Sequence, residues 1–117
     1  MNDSLTKLVQ KRKKLLSSLP PLDRIMRGTV LKREVKCGKP YCHCAKGKGH
    51  TVWYVSTTHP SGKTEQISLP STLVPLAQDW AKNYRKAKKI FKDISAINRD
   101  IIRQRRAQIK RGNKNNE

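Results

Sequence analysis

Carboxylates are scarce in this chain: eight Asp and Glu stand against 27 Lys and Arg in 117 residues, a formal charge of +19. Such a surface cannot neutralise itself, and the charge repels itself in the compact state. The acids are scattered singly, with no D-x-D or H-x-E arrangement, which argues against hydrolytic metal chemistry. Aromatics are also few, with two Trp, three Tyr and one Phe, and Leu, Ile, Val and Phe together number only 25. That is about a fifth of the chain, close to the level at which a highly charged sequence stays unfolded. A large core is excluded, and so short and apolar-poor a domain needs a metal, a partner chain or a polyanion to staple it. No run approaches the roughly 18 consecutive apolar residues of a membrane span, and no secretory signal opens the sequence. The cysteines are an odd set of three within eight residues, which argues against a disulfide framework. The expectation is one soluble, unprocessed cytoplasmic domain, nucleoid- or ribosome-associated, with no membrane partner and no small-molecule substrate.

What the chain has in quantity is positive charge, at +7 over residues 1–36, +3 over 37–69 and +9 over 70–117. Asp3 or Ser4 can cap a first helix running to about Ser17, with Leu5, Leu8, Val9, Leu15 and Leu16 near helical spacing and Pro20-Pro21 beyond it. The β-branched segment Gly28 to Val35 reads as a strand, and His50 to Thr58 with Thr64 to Leu69 reads as a hairpin turning at Pro60-Ser61-Gly62. Ser71 offers an N-cap for a long amphipathic helix, with Pro75 tolerated in its first turn and no glycine before Gly112. Taking Leu73 as heptad position a places Leu73, Trp80, Ala87, Ile94 and Ile101 at a. Leu76, Ile90 and Ile97 then fall at d with Asn83, and Ala77, Tyr84 and Phe91 at e. The class is therefore α+β. Residues 1–26 form a basic N-terminal helix and linker, 27–70 a small antiparallel β-unit stapled by a zinc knuckle, 71–111 the long basic helix, and 112–117 a disordered tail.

Zinc takes four soft or borderline ligands in a tetrahedron, and Cys37-x4-Cys42-x-Cys44-x5-His50 supplies three thiols and an imidazole. Gly38 and Pro40 suit a tight turn between the first two cysteines. In an extended Cys42-His43-Cys44 tripeptide His43 points away from its neighbours, so His50 is the preferred fourth ligand and His43 the alternative. The other chemical use of these residues, a cysteine nucleophile activated by His43 or His50, lacks an acidic orienting partner and an oxyanion donor. No catalytic residue is assigned, and the only cofactor expected is Zn2+.

The segments Arg27-Gly28-Thr29-Val30 and Lys36-Cys37-Gly38-Lys39-Pro40-Tyr41-Cys42-His43-Cys44-Ala45-Lys46-Gly47 with His50, then Trp53-Tyr54-Val55, Gly62-Lys63-Thr64, Leu69-Pro70, Trp80-x2-Asn83-Tyr84-Arg85 and Ile94-x2-Ile97-Asn98, recur in order. In this the chain resembles a family of short, uncharacterised, basic prokaryotic proteins over roughly residues 27 to 105, about two-thirds of its length. Where the family usually carries His-Gly-Pro before its aromatic strand, this chain has His50-Thr51-Val52. The resemblance implies a nucleic-acid setting, with some relatives near transposase-type genes, and no catalytic activity.

Each Lys or Arg that neutralises a phosphate releases condensed counterions, so a chain of this charge binds nucleic acid whatever its fold. Solvated faces ordinarily mix both signs, yet between residues 82 and 111 only Asp93 and Asp100 are acidic. Candidate contacts are Lys11, Arg12, Lys13 and Lys14 in the first helix and Lys39, Lys46 and Lys48 in the cysteine segment. In the long helix they are Lys82, Arg85, Lys86, Lys89, Lys92, Arg99, Arg103, Arg106 and Lys110. Trp53, Tyr54, Trp80 and Tyr84 are assigned to the core before base stacking. DNA is favoured over RNA as the partner, and the apolar seam must pack on the first helix, on a second copy, or on a larger nucleoprotein partner.

Overall fold

The computed structural model describes residues 3–36, 38, 39, 41, 47 and 49–116, with side chains as far as Gly112. In chain order the elements are α1 (Asp3–Ser17), β1 (Thr29–Val35), β2 (His50–Thr58), β3 (Thr64–Leu69) and α2 (Val74–Asn116). The expected α+β class is confirmed: an N-terminal helix, a three-stranded antiparallel sheet of order β1-β2-β3 and a long C-terminal helix. Two compact units emerge, one of Asp23–Arg85 and one of Met1–Leu22 with Lys86–Glu117. The first turns of α2 belong with the sheet and the rest with α1.

In the sheet unit, pairing aligns Val30 with Val55 and Ile67, and Lys32 with Trp53 and Leu69. Strand alternation puts these on one face, where Val55 is 2% exposed and Val30, Trp53 and Leu69 are half-buried. The β2–β3 connection closes as a type I turn with a bulge at Gly62: the His59 N–H donates to the Lys63 carbonyl (2.7 Å) and the Gly62 N–H to the His59 carbonyl (2.8 Å). His59 Nε2 and Glu65 Oε2, 2.9 Å apart, brace the same turn. Lys32 stands 5.8 Å over the Trp53 ring and Arg33 5.0 Å over Tyr54, so each half-buried aromatic carries a cation from β1.

The linker before β1 ties this sheet to the start of α2. Arg27 donates from Nη1 to the Thr58 carbonyl (2.7 Å), and Thr57 Oγ1 returns a bond to the Arg27 carbonyl (3.0 Å). The Met26 N–H donates to the Trp80 carbonyl (3.1 Å), and Asn83 donates from Nδ2 to the Arg24 carbonyl (3.0 Å). Asn83 therefore fixes the linker. At Gly28 the chain passes so close to the sheet that a Cβ would stand 2.8 Å from both Val55 Cγ1 and Thr57 Oγ1.

α2 starts later and ends later than its sequence signals indicate. Ser71–Leu73 forms a 3-10 turn behind Pro70, which offers no side-chain cap, so Ser71 is not the N-cap of an α-helix. At the other end the helix continues through Gly112 to Asn116. A lone glycine costs a helix only about 1 kcal/mol, and Gly112 does not adopt the positive φ of a C-cap. The buried seam also begins one residue out of the expected register. Val74, Ala77 and Ala81 are buried, while Leu73 and Leu76 are each 44% exposed.

In the helical unit, Leu5, Leu8, Arg12 and Leu15 are the half-buried positions of α1 at i, i+3, i+7 and i+10. On α2 the buried positions are Ala87, Ile90, Ile97 and Ile101. Gln104 donates from Nε2 to Ser4 Oγ (2.9 Å), and Arg12 from Nη1 to Asn98 Oδ1 (2.8 Å). Numbers rise along one helix as they fall along the other, so the pair is antiparallel. The seam thus packs on the N-terminal helix of its own chain, one of the three arrangements expected.

The two glycines Gly28 and Gly112 make opposite predictions. Gly28→Ala forces a methyl against the Val55 core and lowers unfolding stability by about 1–3 kcal/mol. Gly112→Ala, with nothing within 4 Å, raises helical stability by up to about 1 kcal/mol. Urea titrations of both variants followed by circular dichroism check the pair.

Candidate nucleic-acid interface

An α-helix advances about 100° per residue, so Lys88, Lys92, Arg99, Arg103, Arg106 and Lys110 share an arc of about 60° on α2. That arc lies diametrically opposite the seam of Ile90, Ile97 and Ile101. All six residues are exposed, and at about 1.5 Å per residue they span about 33 Å of helix. Asp93 and Asp100 sit off this arc, half-buried with Leu8, Lys11, Leu15, Ala96 and Ile97 around one groove beside α1. Asp100 accepts from Arg103 Nη1 at 2.6 Å, while Arg99 Nη1 donates to Ser95 Oγ at 2.9 Å, so two of the guanidinium groups are held in place. Lys89 is 4.0 Å from Asp93.

Within the helical unit the sequence-derived candidates are distributed over both helices. Arg99, Arg103, Arg106, Lys92 and Lys110 belong to the arc, which gains Lys88, a residue that the 3- and 4-residue spacing from Lys92 and Arg85 would have indicated. Lys86 and Lys89 lie to one side of it. Lys82 and Arg85 are exposed residues of the sheet unit. In α1, Lys11, Lys13 and Lys14 line a shallow depression with Lys7, Gln10 and Ser17, but Arg12 turns inward to Asn98 and is half-buried. Lys39 is exposed, while Lys46 and Lys48 lie outside the described residues.

The candidate metal ligands belong to the connection between β1 and β2. Val35 pairs with His50, so residues 36–49 leave and re-enter the sheet at one point. Gly49 is needed at the re-entry, because a Cβ there would stand 2.8 Å from the Val35 carbonyl carbon and oxygen. His50 is thus positioned at the root of this connection. Cys37, Cys42, Cys44 and His43 lie outside the described residues, and among the described residues no group of three His, Cys, Asp or Glu side chains is gathered for a metal. Among the described residues no helix is long and apolar enough to cross a membrane.

No curated protein and no solved structure matches the chain. A family described as a domain of unknown function, DUF6788, does match, over residues 5–79, which takes in α1, the whole sheet with its cysteine-bearing connection, and the start of α2. Because that match extends over more than half of the sequence, the chain belongs to the DUF6788 family.

Proposed function

We propose that this protein is a non-enzymatic nucleic-acid-binding accessory, that duplex DNA is its preferred partner, and that one zinc ion staples its β1–β2 connection. The carrying observation is the arc of six exposed cations on α2, set opposite the packed seam, of which Arg103 alone is ion-paired among the described residues. A straight run of about 33 Å matches about one turn of duplex, along which phosphates of either strand recur. The contacts are to phosphates, so they position the protein without reading sequence. An accessory of this kind suits machinery that itself recognises or cuts DNA, such as that of a mobile element.

The zinc reading is supported by the topology around it. Antiparallel pairing of Val35 with His50 closes the ends of residues 36–49, so Cys37, Cys42, Cys44 and His50 all belong to one short loop and its root. Thiolate and imidazole donors in that number suit tetrahedral zinc. Metal-ligand energy would offset the small core of a sheet in which Val55 is the one buried residue among those described.

If about six phosphates are engaged, log affinity falls with log salt at a slope near −5, and reversing Arg99, Arg103 and Arg106 together flattens it by about 3. Salt titrations with a duplex of unrelated sequence check this, and an unchanged slope assigns the binding elsewhere. For the metal, elemental analysis should find about one zinc per chain, and chelation should abolish the cooperative unfolding of the hairpin. His50→Ala should lose zinc and His43→Ala retain it. A metal-free preparation that still unfolds cooperatively contradicts the zinc assignment.

A further inference from the structure

α1 and the α2 segment beside it are only two helices thick, and they leave a second apolar stripe uncovered. Phe91, Ile102 and Ile109 fall within about 20° of one another on α2, roughly 80–100° round from the buried seam. They are 50%, 67% and 63% exposed. On α1, Val9 and Leu16 recur at the same angle, 41% and 52% exposed. Val9 and Ile102 line one groove with Leu5, Arg12, Asn98, Ile101 and Arg105. An apolar patch of this extent on a chain so short of apolar residues marks an interaction surface.

The charge of the groove selects its occupant. Its only ionisable lining groups are Arg12 and Arg105, and neither has an ion-pair partner among the described residues. The aspartates Asp93 and Asp100 line the groove on the other side of the helix pair. A second copy laid on this stripe would bring four guanidinium groups into one interface whose grooves supply no carboxylate to meet them. Nucleic acid has no use for Val9, Phe91 and Ile102, and its phosphates are better served by the opposite arc. What fits is a third helix whose apolar stripe fills the groove and whose flanking Asp or Glu side chains meet the two guanidinium groups.

We infer that the groove between α1 and α2 docks an acidic amphipathic helix of a protein partner. The stripe from Phe91 to Ile109 is about 27 Å long, which sets the partner helix at about 18 residues. This site is independent of the nucleic-acid reading, since it uses neither the α2 arc nor the cysteine connection.

The test uses the full chain and two synthetic 18-residue peptides of identical Leu, Ala and Glu composition. One carries Leu at i, i+3, i+4 and i+7 with Glu alongside, and the other is scrambled. At 0.3 M salt the striped peptide should bind at least tenfold more tightly than the scrambled one. The double variant Val9→Ser/Ile102→Ser should erase that preference while keeping the helical circular dichroism of the parent, because both side chains are exposed. The Arg99→Glu/Arg103→Glu/Arg106→Glu variant should keep it even where duplex affinity falls, so the two sites fail separately. Equal binding of both peptides, or a preference untouched by the double serine variant, overturns the proposal. So does sedimentation as a dimer that Ile102→Ser dissociates, which would give the groove to a second copy.

Discussion

Repulsion among 27 cations offset by eight anions is the constraint to which this fold answers. Compaction brings like charges closer, and no charged group is buried among the described residues, so the cations described are kept where water and salt can screen them. α2 does this most fully. Its seam of Ala87, Ile90, Ile97 and Ile101 faces α1, Asp93 and Asp100 line one groove beside it, and its densest run of cations faces away. This sorting keeps the cations hydrated but sets like charges three and four residues apart, where they repel, and on the proposed reading a phosphate backbone would relieve that repulsion. On this reading the binding surface and the stability problem have one physical origin.

The sheet unit solves the shortage of apolar residues differently. Its strands bury Val55 and half-bury Trp53, Val30 and Leu69, and much of the remaining order comes from directed bonds in the linker: Arg27 and Thr57 on the sheet side, Met26 to Trp80 and Asn83 to Arg24 on the helix side. Each exchanges a water partner for a protein one at a net gain of about 1 kcal/mol. Their value lies in fixing one arrangement of thin layers that packing alone would specify weakly. Gly28 belongs to this device, since a side chain there would push the linker off Val55.

Much of this was legible in the sequence. β-branched runs at Thr29–Val35 and Thr64–Leu69, the turn at Pro60-Ser61-Gly62 and the prolines at 20, 21 and 70 carry local signals strong enough to bound the elements. The seam register was not legible at the start of α2, where Leu73 and Leu76 outrank Val74 and Ala77 in hydrophobicity yet stay exposed. Just beyond it the linker hydrogen-bonds the helix at Trp80 and Asn83, a tertiary contact with no periodic signature. The run Lys11 to Lys14 likewise hides the separate role of Arg12, because a charge run does not reveal which member points at Asn98. The basic arc could be read from 3- and 4-residue spacing alone, whereas the groove of Val9 and Ile102 became visible only once the two helices were paired.

The account stands or falls on whether opposite charge from outside relieves repulsion within. Melting temperature of nucleic-acid-free protein, measured from 0.05 to 0.5 M NaCl with and without a 20-base-pair duplex, addresses this directly. Salt alone should raise the midpoint by screening. At low salt, duplex at a hundredfold excess over Kd should raise it by at least about 5 °C, a gain that shrinks as salt increases. A midpoint that falls with salt, or that duplex leaves unmoved at low ionic strength, would contradict the account.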